Sequence, residues 1–340
     1  PQGRLIRGGA WSDNTYAFTY LSQAAPLDRS PTNGFRCALY PDAVPDAVLG
    51  TVQPSVVPDY DRVDPVSDDI FQVYKEQFAY DETPLNARVE SSDARSDFWV
   101  HERVTFDAAY GGERMIAHLF LPKNASPPYQ TVIYFPGSAS LFQPSSEDLV
   151  SYYEFPVFLS FLVKSGRAVL YPVYKGTFER RDDAVIPLHI GNDSYSYTEY
   201  VVQLVKDLGR SIDYLESRED IASDRLAYYG MSWGGFLGAL IPAVEDRLQA
   251  SVLVAGSLHD RGRPEVNLVN YVTRVETPTL MLNGRYDQLN PNAIEPLYEL
   301  LGTPDEHKAL KLYETDHIPP RTEYIKETLA WLDRYLGPVD

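Results

Sequence analysis

From about residue 131 to the carboxyl end, short apolar runs alternate with stretches whose apolar residues recur at helical spacing. No other feature of the chain restricts its fold as much. The runs "TVIYFPG" (131–137), "AVLYPVY" (168–174), "RLAYYG" (225–230), "ASVLVAG" (250–256), "PTLMLNG" (278–284) and "KALKLYE" (308–314) read as strands. Between them, "EFPVFLSFLVKSG" (154–166) reads as a helix ending at Gly166. Val201, Leu204, Val205, Leu208, Ile212 and Leu215 form one helical stripe. Further helices are expected from about Trp233, near 292–302 and at the carboxyl end. Strands that alternate with helices imply an α/β fold, a mostly parallel sheet with helices on both faces. In such sheets ligands gather at the carboxyl ends of the strands.

The upstream part differs. "DDIFQVYKEQF" (68–78) has helical spacing, and "FWVHERVTFDAAYGGERMIAHLFLP" (98–122) reads as two strands joined at a Gly-Gly turn. Residues 1–66 are rich in Pro, Asp and Gly, and 41–65 reads as an extended linker; the "PDAVPDAV" echo inside it is too short to be a structural repeat. The expected division is therefore an irregular N-terminal arm over 1–66 and an α/β domain over 67–340.

Charge and composition remove several function classes. With 30 Lys and Arg against 48 Asp and Glu, the formal net charge is −18, which argues against a nucleic-acid partner. No strong local basic patch is visible, and "FERRDD" (178–183) reads as neutralised within itself. The longest apolar runs, such as "FPVFLSFLV" (155–163), are too short to span a bilayer, so no membrane partner is expected. No leader is visible, and Pro1 in place of Met points to a fragment or processed product; a cytoplasmic location is the expectation. A single cysteine, Cys37, excludes internal disulfides and multi-cysteine metal sites.

The strand "RLAYY" runs straight into Gly230-Met231-Ser232-Trp233-Gly234, which fits G-x-S-x-G, and a helix follows. In that context a serine sits on a sharp strained turn, with small residues two positions either side so that strand and helix can approach. A serine hydroxyl needs a base, and the base needs an orienting acid. "LMLNGRYDQLNP" places Asp287 after one later strand, and "LKLYETDHIPP" places His317 after the last. Ser232, Asp287 and His317 are the expected catalytic set, in the order expected of an α/β-hydrolase. Asp316 is an alternative acid by adjacency, and His259 in "GSLHDRG" is an alternative base.

Two backbone N–H groups are expected to receive a developing oxyanion, that of Trp233 and that of Ser138 in "YFPGSAS" (134–140). Tyr171, Tyr174 and Phe142 are candidate walls of the substrate pocket. No cofactor is implied, and no His or carboxylate cluster has metal-ligand spacing. Only about twenty residues separate the strands at 250–256 and 279–283, and "HDRGRPEVN" within them is polar. That leaves no obvious seat for a fatty chain, so a small acyl or aryl ester is the expected substrate.

From about residue 97 to the end, the G-M-S-W-G-G elbow, "NGRYDQLNP" and the late "DH" resemble the dienelactone-hydrolase-like and acetyl-esterase-like branch of the α/β-hydrolases. Ser232 stands where true dienelactone hydrolases carry cysteine, which favours plain ester hydrolysis. "YPVYKGTFERR" (171–181) is similar to a stretch of hydrolase domains fused behind bacterial serine/threonine protein kinases, which implies upstream domains as partners. The first forty residues, "IRGGAWSDNTYAF" with "PLDRSPTNGFRCALYPD", resemble the carboxyl-terminal tail of a formylglycine-generating, sulfatase-modifying domain. The reactive cysteines of that family fall at Ala17 and Ser22, so no oxidase chemistry carries over; Cys37 matches a structural cysteine, and the tail is expected to pack on the hydrolase. Two other functions stay open at this point: a prolyl-oligopeptidase-like serine peptidase, which shares the elbow and triad order, and a non-catalytic interaction module.

Overall fold

The computed structural model describes residues 4–7, 21–24, 60, 64–182, 193–287 and 292–339. Its centre is a nine-stranded sheet. In chain order its strands are β3 (Arg88–Asp93), β4 (Trp99–Asp107), β5 (Arg114–Pro122), β6 (Tyr129–Phe135), β7 (Ala168–Val173), β8 (Ile221–Met231), β9 (Leu248–Val254), β10 (Thr279–Gly284) and β11 (Lys308–Tyr313). The spatial order is β11-β10-β9-β8-β6-β7-β5-β4-β3. The strands from β7 to β11 along this order run parallel, and β5, β4 and β3 close one edge antiparallel. A separate antiparallel pair joins β1 (Arg4–Arg7) to β2 (Leu21–Ala24).

The chain leaves β6 toward the β7 side, then crosses back to β8 on the other side and continues outward through β9 to β11. The direction of winding therefore reverses between β6 and β8. A reversal of that kind opens a crevice at the carboxyl ends of the two strands, because their following connections cover opposite faces.

Burial explains why these segments became strands and helices. Along β6, Val132 and Tyr134 enter one apolar layer while Ile133 and Phe135 enter the other. On the first side lie Phe155, Phe158, Leu159 and Leu162 of the 154–164 segment and Trp331, Leu332 and Leu336 of the closing helix, Arg321–Leu336. On the second side lies the expected stripe, Val201, Leu204, Val205, Leu208, Ile212 and Leu215, within the long helix Tyr195–Glu216. Ser194 caps that helix by accepting the Tyr197 N–H at 3.1 Å.

Three features differ from the sequence reading. β3 is an edge strand of sequence RVESSD with both faces largely exposed, so it carries no apolar alternation to betray it. The segment expected as one α-helix over 154–166 is π-helical at Phe155–Leu159 and α-helical only at Ser160–Lys164. Arg180 is not neutralised within "FERRDD". It pairs with Asp207 at 2.5 Å and Glu113 at 3.2 Å, and Glu179 instead accepts from the Ser146 N–H at 2.8 Å.

Just ahead of the domain, the Tyr60 hydroxyl donates to the Leu258 carbonyl at 3.0 Å and the Val66 N–H to Asn270 Oδ1 at 3.0 Å. Ala17, Cys37 and most of the 41–65 linker lie outside the described residues, and the side chain of Ser22 is likewise not described.

Candidate active site

Ser232 directly follows β8 and precedes a short helix, Trp233–Leu237. Its backbone has φ 51° and ψ −103°, a conformation that side chains with a Cβ rarely adopt. The surroundings hold it there. The Ser232 N–H donates to the Val254 carbonyl at 2.8 Å, and the Gly234 N–H to the Pro136 carbonyl at 3.2 Å. At Gly234 a Cβ would lie 2.3 Å from the Phe135 carbonyl oxygen, so only glycine lets the helix sit this close to β6.

The other two residues arrive on neighbouring strand ends. After β10, the Arg285 N–H donates to the Tyr313 carbonyl at 2.7 Å and the Tyr286 N–H to Thr315 at 3.0 Å. These bonds splice the turn after β10 onto the loop after β11. Gly284 permits the splice, since a Cβ there would stand 1.6 Å from the Asp316 carbonyl oxygen.

The result is a continuous hydrogen-bonded chain. His317 Nε2 lies 2.8 Å from Ser232 Oγ, and His317 Nδ1 lies 2.7 Å from Asp287 Oδ2. The Asp287 side chain is 3% exposed and the His317 side chain 24%. A buried carboxylate on Nδ1 fixes the ring so that Nε2 faces the hydroxyl.

The alternatives are placed elsewhere. Asp316 Oδ1 accepts the backbone N–H of His317 at 2.9 Å, while the imidazole turns to Asp287. His259 packs edge-on against Phe236, with ring centroids 4.2 Å apart, and burial pushes its imidazole down to about 4. It is not the ring bonded to Ser232.

Both residues expected to supply oxyanion donors come just after the carboxyl ends of two neighbouring strands, β8 and β6. Trp233 opens the helix after Ser232, and Ser138 opens a 3₁₀ turn, Ser138–Phe142, after β6. Among the described residues, neither backbone N–H donates to a protein acceptor. The bond from Gly234 to Pro136 ties the two segments together.

The aromatic candidates divide. Tyr171 and Tyr174 are both 0% exposed, so they cannot wall an open pocket. Their hydroxyls are spent inside the core, Tyr171 on Glu154 at 3.1 Å and Tyr174 on the Tyr134 carbonyl at 3.2 Å. They lie on or beside a central strand covered on both faces, which puts even tyrosine inside. Phe142, at the end of the 3₁₀ turn, is 41% exposed. The segment between β9 and β10 turns its apolar residues inward, with Leu258, Val266, Leu268, Val269, Tyr271 and Val272 all buried.

Sequence reasoning missed Glu154. This carboxyl is fully buried beneath the 3₁₀ turn, and its only signal was one acid in the apolar run "YYEFPVFL". Among the described residues, no group of three or more His, Cys, Asp or Glu side chains is gathered as a metal-ligand set. Nor is any described helix long and apolar enough to cross a membrane.

This architecture, with a serine on the turn between a central strand and a helix at the winding reversal, is the α/β-hydrolase fold. Solved structures agree. Acetyl xylan esterase 1 from Thermoanaerobacterium sp. JW/SL YS485 superposes with a TM-score of 0.61 at 17% identity, over 80% of this chain and 96% of that one. The "Putative Dienelactone Hydrolase" of Klebsiella pneumoniae gives a TM-score of 0.52 at 20% identity, over 70% of this chain and 99% of that one. In sequence, the Bacillus subtilis (strain 168) protein described as "Putative hydrolase YtaP" is 25% identical over 152 residues, 42% of this chain. The match spans about half of that relative's length, 48%. No family model matches the chain.

Proposed function

We propose that the protein is a serine carboxylester hydrolase acting on small acyl or aryl esters through Ser232, His317 and Asp287. The observation that carries this reading is the 2.8 Å and 2.7 Å chain from Ser232 Oγ through His317 to Asp287, built on a strained turn. The esterase and hydrolase names among similar proteins support it.

In this mechanism Ser232 Oγ attacks the ester carbonyl while His317 Nε2 takes its proton. Asp287 holds the ring and stabilises the imidazolium. The N–H groups of Trp233 and Ser138 receive the oxyanion. His317 then gives its proton to the leaving alkoxide, and an acyl group stays on Ser232. A water deprotonated by the same nitrogen releases the acid.

The buried apolar side of the 257–276 segment favours a short acyl group, because it offers no free stripe to take methylenes out of water. Residues 1–66 are read as a separate arm, the remnant of a sulfatase-modifying-like module of a kinase-linked protein.

The test is a series of p-nitrophenyl acetate, butyrate, octanoate and palmitate beside a prolyl-peptide amide. The expected result is activity on the esters alone, with kcat/KM highest at butyrate or shorter. Cleavage of the amide would favour a peptidase, activity on neither an interaction module. A maximum at octanoate or longer would overturn the short-acyl reading.

A further inference from the structure

We propose that Glu154 is a positioning residue for the oxyanion-binding turn, locking the Gly137–Ser138 peptide so that the Ser138 N–H stays aimed into the crevice. The inference rests on the serine-esterase reading above.

The geometry is that of a clamp. Glu154 Oε1 accepts the Gly137 N–H at 3.1 Å and the Tyr153 hydroxyl at 3.2 Å. Oε2 accepts the hydroxyls of Tyr134 and Tyr171, both at 3.1 Å. These donors come from β6, from the turn after it, from β7 and from the residue next to Glu154, so the carboxylate ties the turn to the rigid centre of the sheet. The other side of Gly137 is held too. Its carbonyl accepts the Ser140 hydroxyl at 2.8 Å and the Ser140 N–H at 3.2 Å.

A trans peptide points its C=O and N–H in opposite directions. Fixing the Gly137 carbonyl toward Ser140 therefore directs the Ser138 N–H away from it. Glu154 sets the preceding peptide, so rotation about Gly137 is blocked from both sides. An oxyanion donor has to be in place before charge develops, and loose donors lose most of their effect.

The choice of a carboxylate supports a role beyond filling space. Burial raises the Glu154 carboxyl from its ordinary value to about 7, against the pull of the Gly137 N–H and the tyrosine hydroxyls. An apolar side chain would fill the site without that desolvation cost, but would take the acceptor away from the Gly137 N–H and from the buried hydroxyls of Tyr134 and Tyr171. A carboxylate accepts from all of them at once.

The deciding experiment compares wild type with Glu154→Gln, whose amide presents a donor where one oxygen accepted. Steady-state kinetics on p-nitrophenyl acetate are measured together with the inhibition constant of a short trifluoromethyl ketone. That ketone forms a tetrahedral adduct on serine and places its oxygen where the oxyanion would sit. The expected result is a kcat lower by roughly 10- to 100-fold, below the loss for removing a donor outright, with KM within about twofold. The inhibition constant should rise by a similar factor. Glu154→Asp, which keeps the acceptor but withdraws it by one methylene, should show the same pattern at smaller amplitude if the Gln variant does not fold.

Wild-type kcat in a folded Glu154→Gln protein, a change in KM alone, or a lower kcat with unaltered ketone affinity would each overturn the proposal. A wild-type protein that neither hydrolyses the ester nor binds the ketone would instead overturn the esterase reading.

Discussion

Asp287 and Asp316 both stand within reach of His317, yet only one touches the ring. Asp287 meets Nδ1 at 2.7 Å, and Asp316 meets the backbone N–H at 2.9 Å. Asp287→Asn should lower kcat by on the order of 10⁴, because an amide that donates to Nδ1 leaves Nε2 carrying the proton it should accept. Asp316→Asn should cost less than about tenfold, since it loosens one loop bond worth about 1 kcal/mol. Steady-state kinetics of the two variants check this, and a reversed ranking would reassign the acid. The positions of Ser232, Asp287 and His317 were readable from sequence because each follows a strand at a turn, where order along the chain dictates place. Tyr171 lies inside β7 and Tyr174 directly after it, and both end in the core. Tyr171 is buried in one layer, bonded to Glu154, and Tyr174 in the other, bonded to the Tyr134 carbonyl, and sequence spacing carries no information on either partner.

At the scale of elements, the strand–turn–helix at β8 stands on close backbone contact. Gly234→Ala would push a methyl to 2.3 Å from the Phe135 carbonyl oxygen. The helix would have to lift from β6, at a cost of about 1–3 kcal/mol as for other overpacked sites. It would carry the Gly234–Pro136 bond with it. The variant should therefore lose thermal stability and most of its esterase turnover together, as melting and kinetics on one preparation would show. Retained activity with a lowered melting point would mean that the elbow tolerates the shift. The inner parallel strands β6, β7, β9 and β10 were legible because both of their faces are buried and their sequences run apolar. β3 was not, because an exposed edge strand such as RVESSD has no side that must be apolar. The π-helical turn at Phe155–Leu159 was not legible either, because helical periodicity does not distinguish it from an α-helix.

At the scale of the whole molecule, the buried acid beneath the turn should mark the pH dependence of stability. Its carboxyl ordinarily titrates near 4.5 and in the folded protein near 7. Below the lower value both states are protonated and no penalty exists. As pH rises through this window the unfolded chain ionises first, so folding stability falls, by up to about 3 kcal/mol once both are ionised. His118 and His259 act in the opposite sense. Burial holds their rings down to about 3 and 4, so both gain stability as pH rises toward their ordinary value near 6.5. Denaturant midpoints of wild type and Glu154→Gln between pH 5 and pH 8 separate the two effects. The difference between the proteins should change across that range, and a constant difference would remove Glu154 as its source. The central claim, that Ser232 is the nucleophile of an ester hydrolase, is tested most directly by acid-quenching the protein during turnover of p-nitrophenyl acetate and locating any acyl group by mass spectrometry. The account predicts one acetyl group on the peptide that contains Ser232. It also predicts no adduct in Ser232→Ala, with kcat lower by on the order of 10⁴–10⁶. An acetyl group on another residue, or a Ser232→Ala protein that keeps more than a tenth of wild-type kcat/KM, would contradict it.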